Sequence, residues 1–224
     1  MEDLIKIIAL FFRGIRRIFR SLISLINRIK LYWELFINQV DYGKNMHCNG
    51  LPYICVSPKG LLKIGDNLTM SNGTRFNPIG FPQPCILYVD AHAQLSIGNN
   101  VGMSQSSIIC HYHISIGDNT KIGGGVKIYD TDFHSLNPDD RLNREMDMKN
   151  KKKARVEIGK NVLIGAGTII LKGVSIGDNS VIGAGSVVTK SIPSNQIWGG
   201  NPAKFFVSFS ERLPRYLRFV FVCA

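Results

Sequence analysis

The 224-residue sequence lacks the marks of a disulfide-stabilised, collagen-like or disordered chain. Its five cysteines are odd in number and contain no C-x-x-C pair, so they do not resemble a disulfide framework. The 22 glycines do not recur at every third position, which excludes a collagen helix. Hydrophobic residues make up 45% of the chain, too many for overall disorder. We therefore expect a folded protein with free thiols in a reducing compartment, the cytoplasm.

Acidic residues are scarce, because 16 Asp and Glu stand against 27 Lys and Arg, for a formal charge of +11. The excess is concentrated in residues 1–30, in the segment KNKKKAR at 149–155 and in residues 204–218. The rest of the chain is nearly neutral, unlike the single basic face of a nucleic-acid-binding domain. We therefore expect no nucleic-acid partner.

Residues 1–45 are predicted to form a basic, amphipathic helical arm. Arginines interrupt its uncharged runs well before the ~20 apolar residues that a bilayer span requires. Its apolar residues recur at steps of three and four: Leu4, Ile7, Ile8, Phe11, Ile15, Ile18, Leu22, Leu25, Ile26, Ile29, Trp33 and Phe36. Two partners for this apolar stripe remain open. One is an anionic membrane surface reached through residues 1–40, and the other is protein, either the rest of the chain or a neighbouring subunit.

A six-residue repeat dominates the remainder of the sequence. The tetrad Ile-Gly-x-Asn begins at Ile64, Ile97, Ile116, Ile158 and Ile176. Aliphatic anchors recur every six residues at Ile158, Ile164, Ile170, Ile176, Ile182 and Val188. The same step upstream reads Ile64, Met70 and Phe76, then Ile97, Met103 and Ile109, and after a one-residue slip Ile116, Ile122, Ile128 and His134.

A six-residue period predicts a triangular coil of three short strands and three turns. The anchors stack inward, and Gly or Asn occupies the corners that need a positive φ. The predicted all-β domain covers residues 55–206 and is followed by a short tail, 207–224.

Two stretches carry a family resemblance: IGKNVLIGAGTIILKGVSIGDNSVIGAGSVVTKSIP at 158–193 and GGNPAK at 199–204. They resemble the bacterial hexapeptide-repeat acyltransferases, most closely the O-acetyltransferases that act on sugars. The resemblance implies a left-handed parallel β-helix, a homotrimer and acetyl-CoA as co-substrate, with no metal. It also implies a saccharide acceptor, such as a unit of a capsule or lipopolysaccharide.

The repeat breaks after Tyr129–His134 (YDTDFH) and resumes at Val156, so residues 135–155 form an excursion. Histidine suits the task of taking a proton from a hydroxyl near neutral pH, which acyl transfer to an alcohol requires. The resemblance implies that His134 is the general base. Asp132 or Asp130 lies close enough in sequence to hold the imidazole tautomer.

The resemblance also assigns residues to the two substrates. Ser104 stands where the family commonly has a polar residue, often Asn, that helps to place the acceptor or the oxyanion. The residues implied for coenzyme A are Gly165, Ala166, Gly183 and Ala184, with Thr189, Lys190 and Lys204 near the nucleotide phosphates. Small residues let a thin pantetheine arm approach the backbone, and lysine supplies a point charge for phosphate.

Two other functions remain open at this point. A metal hydratase resembling the γ-type carbonic anhydrases needs three converging histidines, and His111 and His113 share one face of a strand and could join His134. A non-catalytic scaffold would use the coil only to space its partners. The excursion and His134 favour the acyltransferase.

Overall fold

The computed structural model describes residues 2–209, which form one long helix followed by a parallel β-helix. Helix α1 (Glu2–Ile37) precedes the first strand, which already pairs with the coil at Asp41–Tyr42. No helix in this described part of the chain is both long and apolar enough to cross a membrane. Residues 210–224, most of the predicted tail, lie outside the described residues. The division into arm, coil domain and tail remains a prediction.

Three sheets form the walls of the coil. The first sheet contains β1 (Asp41–Tyr42), β4 (Leu61–Ile64), β7 (Gln94–Ile97), β10 (His113–Ile116), β13 (Val156–Ile158) and β16 (Ser175–Ile176). The second contains β2 (His47–Asn49), β5 (Thr69–Ser71), β8 (Gly102–Ser104), β11 (Lys121–Ile122), β14 (Leu163–Ile164), β17 (Val181–Ile182), β19 (Gln196–Gly199) and β20 (Lys204–Ser208). The third contains β3 (Tyr53–Val56), β6 (Ile86–Val89), β9 (Ser107–Cys110), β12 (Lys127–Tyr129), β15 (Ile169–Ile170) and β18 (Val187–Val188).

The repeat anchors stack on one another inside the coil. Ile116 pairs with Ile158, which pairs with Ile176 in the next parallel strand of the first sheet. All six anchors from Ile158 to Val188 are buried. The triangular coil predicted from the six-residue period is therefore confirmed.

The corner between the first and second sheets, here the Asn corner, is built on asparagine. Its members have φ between 57° and 64°, a region that Asn tolerates better than most residues: Asn45, Asn67, Asn100, Asn119, Asn161, Asn179 and Asn195. From Asn45 to Asn179, each side-chain amide donates to the Oδ1 of the next asparagine at 2.8–3.1 Å, and Asn195 is the last acceptor. These bonds connect all the coils along one edge.

The corner between the second and third sheets, here the Gly corner, carries Gly125, Gly167, Gly185 and Gly200 at positive φ. One excursion, residues 72–85, leaves the coil there and contains helix α2 (Gly73–Phe76). The side chain of Asn72 closes its base, because its Oδ1 accepts from the backbone N–H of Cys85 at 2.8 Å and its Nδ2 donates to the carbonyl of Asn49. The sequence did not predict this excursion.

Both ends of the coil are covered. At the first end the last turns of α1 pack on it, where Leu31 and Leu35 are buried and Asn38 Oδ1 accepts from the N–H of Val56 at 2.8 Å. At the other end β20 folds back antiparallel on β19. Such caps protect the strand edges that a parallel coil would otherwise expose.

Three of the predicted anchor positions are wrong. Phe76 lies in helix α2 of the 72–85 excursion and is only half-buried. Ile109 is only half-buried, whereas Ile108 and Cys110 point inward. The reason is that the one-residue slip in the repeat falls at the tight corner Gln105–Ser106, before strand β9, and not after it. His134 is exposed rather than inward. The chain has already left the coil at Asp130, before it reaches His134.

Candidate active site

The corner between the third and first sheets, here the loop corner, releases the long loop, residues 131–155. An antiparallel bridge between Thr131 and Lys153 closes its base. The loop contains helices α3 (Pro138–Arg141) and α4 (Arg144–Asn150). Asn143 caps α4 by accepting from the N–H groups of Glu145 and Met146, which fixes where that helix begins. The loop is therefore an ordered element attached to the coil.

His134 is held by a carboxylate from α4. Its Nδ1 lies 2.7 Å from Oδ2 of Asp147, and Oδ1 of Asp147 accepts from the N–H of Ser135 at 2.6 Å. The imidazole and this backbone N–H hold the pKa of Asp147 below its usual range. Asp147 is nearly buried, while the side chain of His134 is 69% exposed. The pair thus combines a fixed carboxylate with an accessible ring.

This geometry sets the chemistry available to the ring. A carboxylate accepts hydrogen bonds only, so the bond favours the tautomer with its proton on Nδ1. No residue between 2 and 209 hydrogen-bonds Nε2 of His134, which leaves that nitrogen with its lone pair. The ring can therefore act as a proton acceptor at Nε2.

Asp130 and Asp132, the two carboxylates near His134 in sequence, have other partners. Asp130 is fully buried and accepts from the backbone N–H groups of residues 111–113 at 2.7–2.8 Å. Asp132 Oδ1 lies 2.6 Å from Nζ of Lys172. The positive φ of Phe133 turns the chain between these aspartates and the histidine. Asp147 takes the role that the sequence had suggested for them.

A second cluster lies under the long loop. Nδ1 of His111 is 2.8 Å from Oδ2 of Asp90, and the ring of His111 stands against Tyr88 and Phe133 with centroids 5.6 and 5.7 Å away. The ammonium of Lys151 is 3.4 Å from the same Nδ1. Burial and the positive charge of Lys151 lower the pKa of His111 despite the carboxylate. Burial likewise lowers the pKa of Lys151.

Two of the three histidines considered for a metal site have separate carboxylate partners in one copy of the chain. Among residues 2–209, no three His, Cys, Asp or Glu side chains come together so as to hold a metal ion. His111 is engaged by Asp90, and His134 is engaged by Asp147.

Ser104 and His134 lie at different corners of the coil. Ser104 ends β8 at the Gly corner, whereas His134 follows β12 at the loop corner, so the width of the third sheet separates them. A single copy of the chain therefore does not bring these two predicted site residues together.

The residues predicted to bind coenzyme A fall into two groups. Gly165, Ala166, Gly183 and Ala184 stack in successive turns of the Gly corner, and Lys204 begins β20 beside Gly199 at the end of that column. A side chain on Gly165 would lie 2.5 Å from the backbone nitrogen of Ala184, so close stacking requires glycine there. Thr189 and Lys190 are exposed at the loop corner instead.

The Gly corner is covered at the level of Gly125 and open at the level of Gly185. A side chain on Gly125 would overlap the ring of Phe81, which the 72–85 excursion places over it. A side chain on Gly185 would meet nothing within 4 Å. The accessible part of this corner therefore coincides with the levels of Ala166 and Ala184.

Comparisons with known proteins agree with the repeat. Residues 155–190 match the family described as "Hexapeptide repeat of succinyl-transferase". "Nodulation protein L" of Rhizobium meliloti is 42% identical over 118 residues, 52% of this chain and 61% of that protein, so the chain spans about three fifths of that relative. "Putative lipopolysaccharide biosynthesis O-acetyl transferase WbbJ" of Escherichia coli is 27% identical over 187 residues, 82% of this chain and 89% of that protein.

A solved structure extends the likeness to most of the chain. AntD, an N-acyltransferase from Bacillus cereus in complex with dTDP and 3-hydroxybutyryl-CoA, matches with a TM-score of 0.59. The two are 21% identical, over 79% of this chain and 87% of that one, so the likeness concerns the fold. With the parallel sheets and the repeat match, it confirms a left-handed β-helix of hexapeptide repeats preceded by an amphipathic helix.

Proposed function

We propose that this hexapeptide-repeat protein is an acyltransferase that moves an acetyl group from acetyl-CoA to a hydroxyl group of a saccharide. The observation that carries the proposal is the His134–Asp147 pair, in which an exposed imidazole is oriented by a nearly buried carboxylate. The name of the WbbJ relative, "Putative lipopolysaccharide biosynthesis O-acetyl transferase WbbJ", supports both the reaction and the class of acceptor.

In the proposed reaction His134 is the general base. Nε2 takes the proton of the acceptor hydroxyl while the hydroxyl oxygen bonds to the acyl carbon. Asp147 keeps the ring in the required tautomer and balances the positive charge that the ring acquires. When the carbon–sulfur bond breaks, Nε2 returns the proton to the leaving sulfur. The chain needs no covalent intermediate of its own.

Cys48 and Cys85 are poorly suited to act as nucleophiles. Burial and the nearby Cys85 raise the pKa of Cys48 to about 12, and burial raises the pKa of Cys85 to about 11. The thiolate is the reactive form of cysteine, and little of it exists at neutral pH under these conditions. This supports direct transfer with His134 as base.

For the acyl donor, we assign the open part of the Gly corner to the pantetheine arm. The thioester of acetyl-CoA supplies the acyl group. Gly165, Ala166, Gly183 and Ala184 present backbone groups with little side chain in the way, and Lys204 at the end of the column would meet a phosphate. Thr189 and Lys190 lie at the other edge of the third sheet, so they serve a site in this copy only if the ligand reaches across that sheet.

A homotrimer would bring the two corners together. The loop corner of one copy carries His134, and the Gly corner of a neighbouring copy would then supply the donor groove and Ser104, which we assign to the acceptor or the oxyanion. We place the trimer in the cytoplasm, where its free thiols belong, at the inner face of the membrane.

The proposal is tested by following thiol release from acetyl-CoA with a panel of saccharides as acceptors. His134→Asn should lower turnover roughly 10²- to 10⁴-fold without unfolding the coil. His92→Asn is the matched control, because His92 is exposed at the loop corner with φ 62°, which Asn tolerates. Equal turnover in the wild type and His134→Asn on an accepted saccharide would overturn the role of His134. Absence of acetyl transfer to every saccharide would favour the scaffold.

A further inference from the structure

Helix α1 contacts the coil through the side opposite its apolar stripe. Leu31 and Leu35 are buried against the coil, and Asn27 is half-buried on the same side. At about 100° per residue, Leu31 and Leu35 lie roughly 150° around the helix from the centre of the stripe. The stripe therefore does not pack on residues 38–209, the rest of the described chain.

The apolar stripe is exposed along its whole length. Apart from half-buried Ile15, its side chains are 43–73% exposed. Phe12, Phe19 and Ile37 extend the apolar surface to one side, and all three are exposed. This face is wider than the two-position seam of a coiled coil, which spans only positions a and d of each heptad.

The polar side of α1 is basic and has few acidic neighbours. Residues 4–33 contain seven Lys and Arg and no Asp or Glu. Among the described residues, Lys6 pairs with Asp3 at 3.6 Å, and the guanidinium of Arg28 stands 6.0 Å from the ring centroid of Tyr32. No ion pair in the described part of the chain involves the five arginines of this helix. The positive charge is thus available to an anionic surface.

We propose that α1 lies flat in the interface of an anionic lipid bilayer, with its apolar stripe in the acyl region and the coil on its water side. The orientation follows from the two faces of the helix. The side that carries Leu31 and Leu35 is occupied by the coil, and the opposite side offers large apolar groups. The cations nearest to the stripe are Lys30, Arg28 and Arg16, about 85–125° around the helix from its centre, from where long side chains can reach lipid headgroups. The proposal is independent of acyl transfer, so the two can fail separately.

The test is co-sedimentation of the full chain with vesicles of phosphatidylcholine alone or with added phosphatidylglycerol. We expect binding to the anionic vesicles and much weaker binding to the neutral ones. Ile18→Glu places a charge in the centre of the stripe, and Ser24→Glu places the same charge on the coil side of the helix. Both variants change the net charge equally, so a difference between them measures insertion of the apolar stripe. Ile18→Glu should weaken binding at least about tenfold more than Ser24→Glu.

Two results would overturn the proposal. The first is failure of the wild-type chain to sediment with anionic vesicles. The second is equal weakening by the two variants, which would leave only a charge interaction without insertion. Light scattering without vesicles tests the competing occupant, a second copy of the chain. A fall in oligomeric state in Ile18→Glu but not in Ser24→Glu, with no vesicle binding by the wild type, would assign the stripe to that interface.

Discussion

Asp147 Oδ2 lies 2.7 Å from Nδ1 of His134 although helix α3 lies between the two residues along the chain. The same carboxylate also accepts from the N–H of Ser135, so one side chain fixes both the backbone and the ring at the start of the long loop. The loop thereby determines the direction and the tautomer of the proposed base.

The first prediction concerns this contact. Asp147→Asn should lower kcat roughly 10²- to 10⁴-fold, because an amide can donate to Nδ1 and favour the tautomer with its proton on Nε2. KM for acetyl-CoA should change little, since Asp147 acts through His134. Steady-state kinetics with both substrates varied will separate these effects. A change confined to KM would contradict the positioning role.

The second prediction concerns the pH dependence of stability. The pKa of His111 is lowered in the folded protein by burial and by Lys151, so the unfolded chain binds its proton first as the pH falls. The free energy of unfolding should therefore decrease as the pH falls below about 6.5, until the folded-state pKa is reached. The neighbouring charged groups are Asp90, Asp130, Lys151 and Lys153.

His111→Gln removes this titration. Denaturant unfolding of the wild type and the variant between pH 5 and 8 should show a smaller slope with pH in the variant. Identical slopes would show that His111 does not contribute.

The third prediction concerns the Asn corner. Asn161 has φ 57° and connects Asn119 to Asn179 through its side-chain amide. Asn161→Ala should destabilise the coil by about 2–3 kcal/mol, since it loses two hydrogen bonds and places a Cβ in the left-handed region. Asn161→Gly keeps the backbone conformation without strain and should cost less. Chemical denaturation of both variants measures the difference, and equal losses would exclude backbone strain as a cause.

The fourth prediction concerns the donor groove. Ala184 is exposed at the open part of the Gly corner, so Ala184→Leu should obstruct the pantetheine arm and raise KM for acetyl-CoA. Ser194→Leu places the same side chain at the exposed Asn corner and serves as the control. An unchanged KM in Ala184→Leu would move the donor site elsewhere on the coil.

Repetition explains which parts of the structure could be predicted. From Ile158 to Val188 the coil obeys the same six-residue rule, and each anchor there points inward as expected. Where a corner has a different number of residues, the six-residue spacing of the anchors is lost, as it is between Met103 and Ile108. The tetrads marked the Asn corner, but the bonding between successive amides depends on the stacking of coils that are distant in sequence.

The site was predicted only in part for a related reason. His134 stood out because it interrupts a regular pattern, whereas Asp147 lies in a segment with no repeat. Its approach to the ring depends on where α4 begins, which Asn143 fixes, and on the path of the long loop. The partners of Asp130 and Asp132 are backbone groups and a lysine from neighbouring coils, which their sequence positions do not reveal.

The number of stacked coils also sets the distance between α1 and the proposed base, His134. The first sheet places four strand spacings between β1, next to α1, and β13, where the long loop rejoins the coil. At ~4.8 Å per spacing, the proposed base stands about 19 Å along the coil axis from the end that α1 caps. A glycan attached to a lipid would have to extend over that height, so its accessible hydroxyl would lie several sugar units from the anchor. Removing one complete coil would shift the base by a single spacing and should select a hydroxyl nearer the membrane.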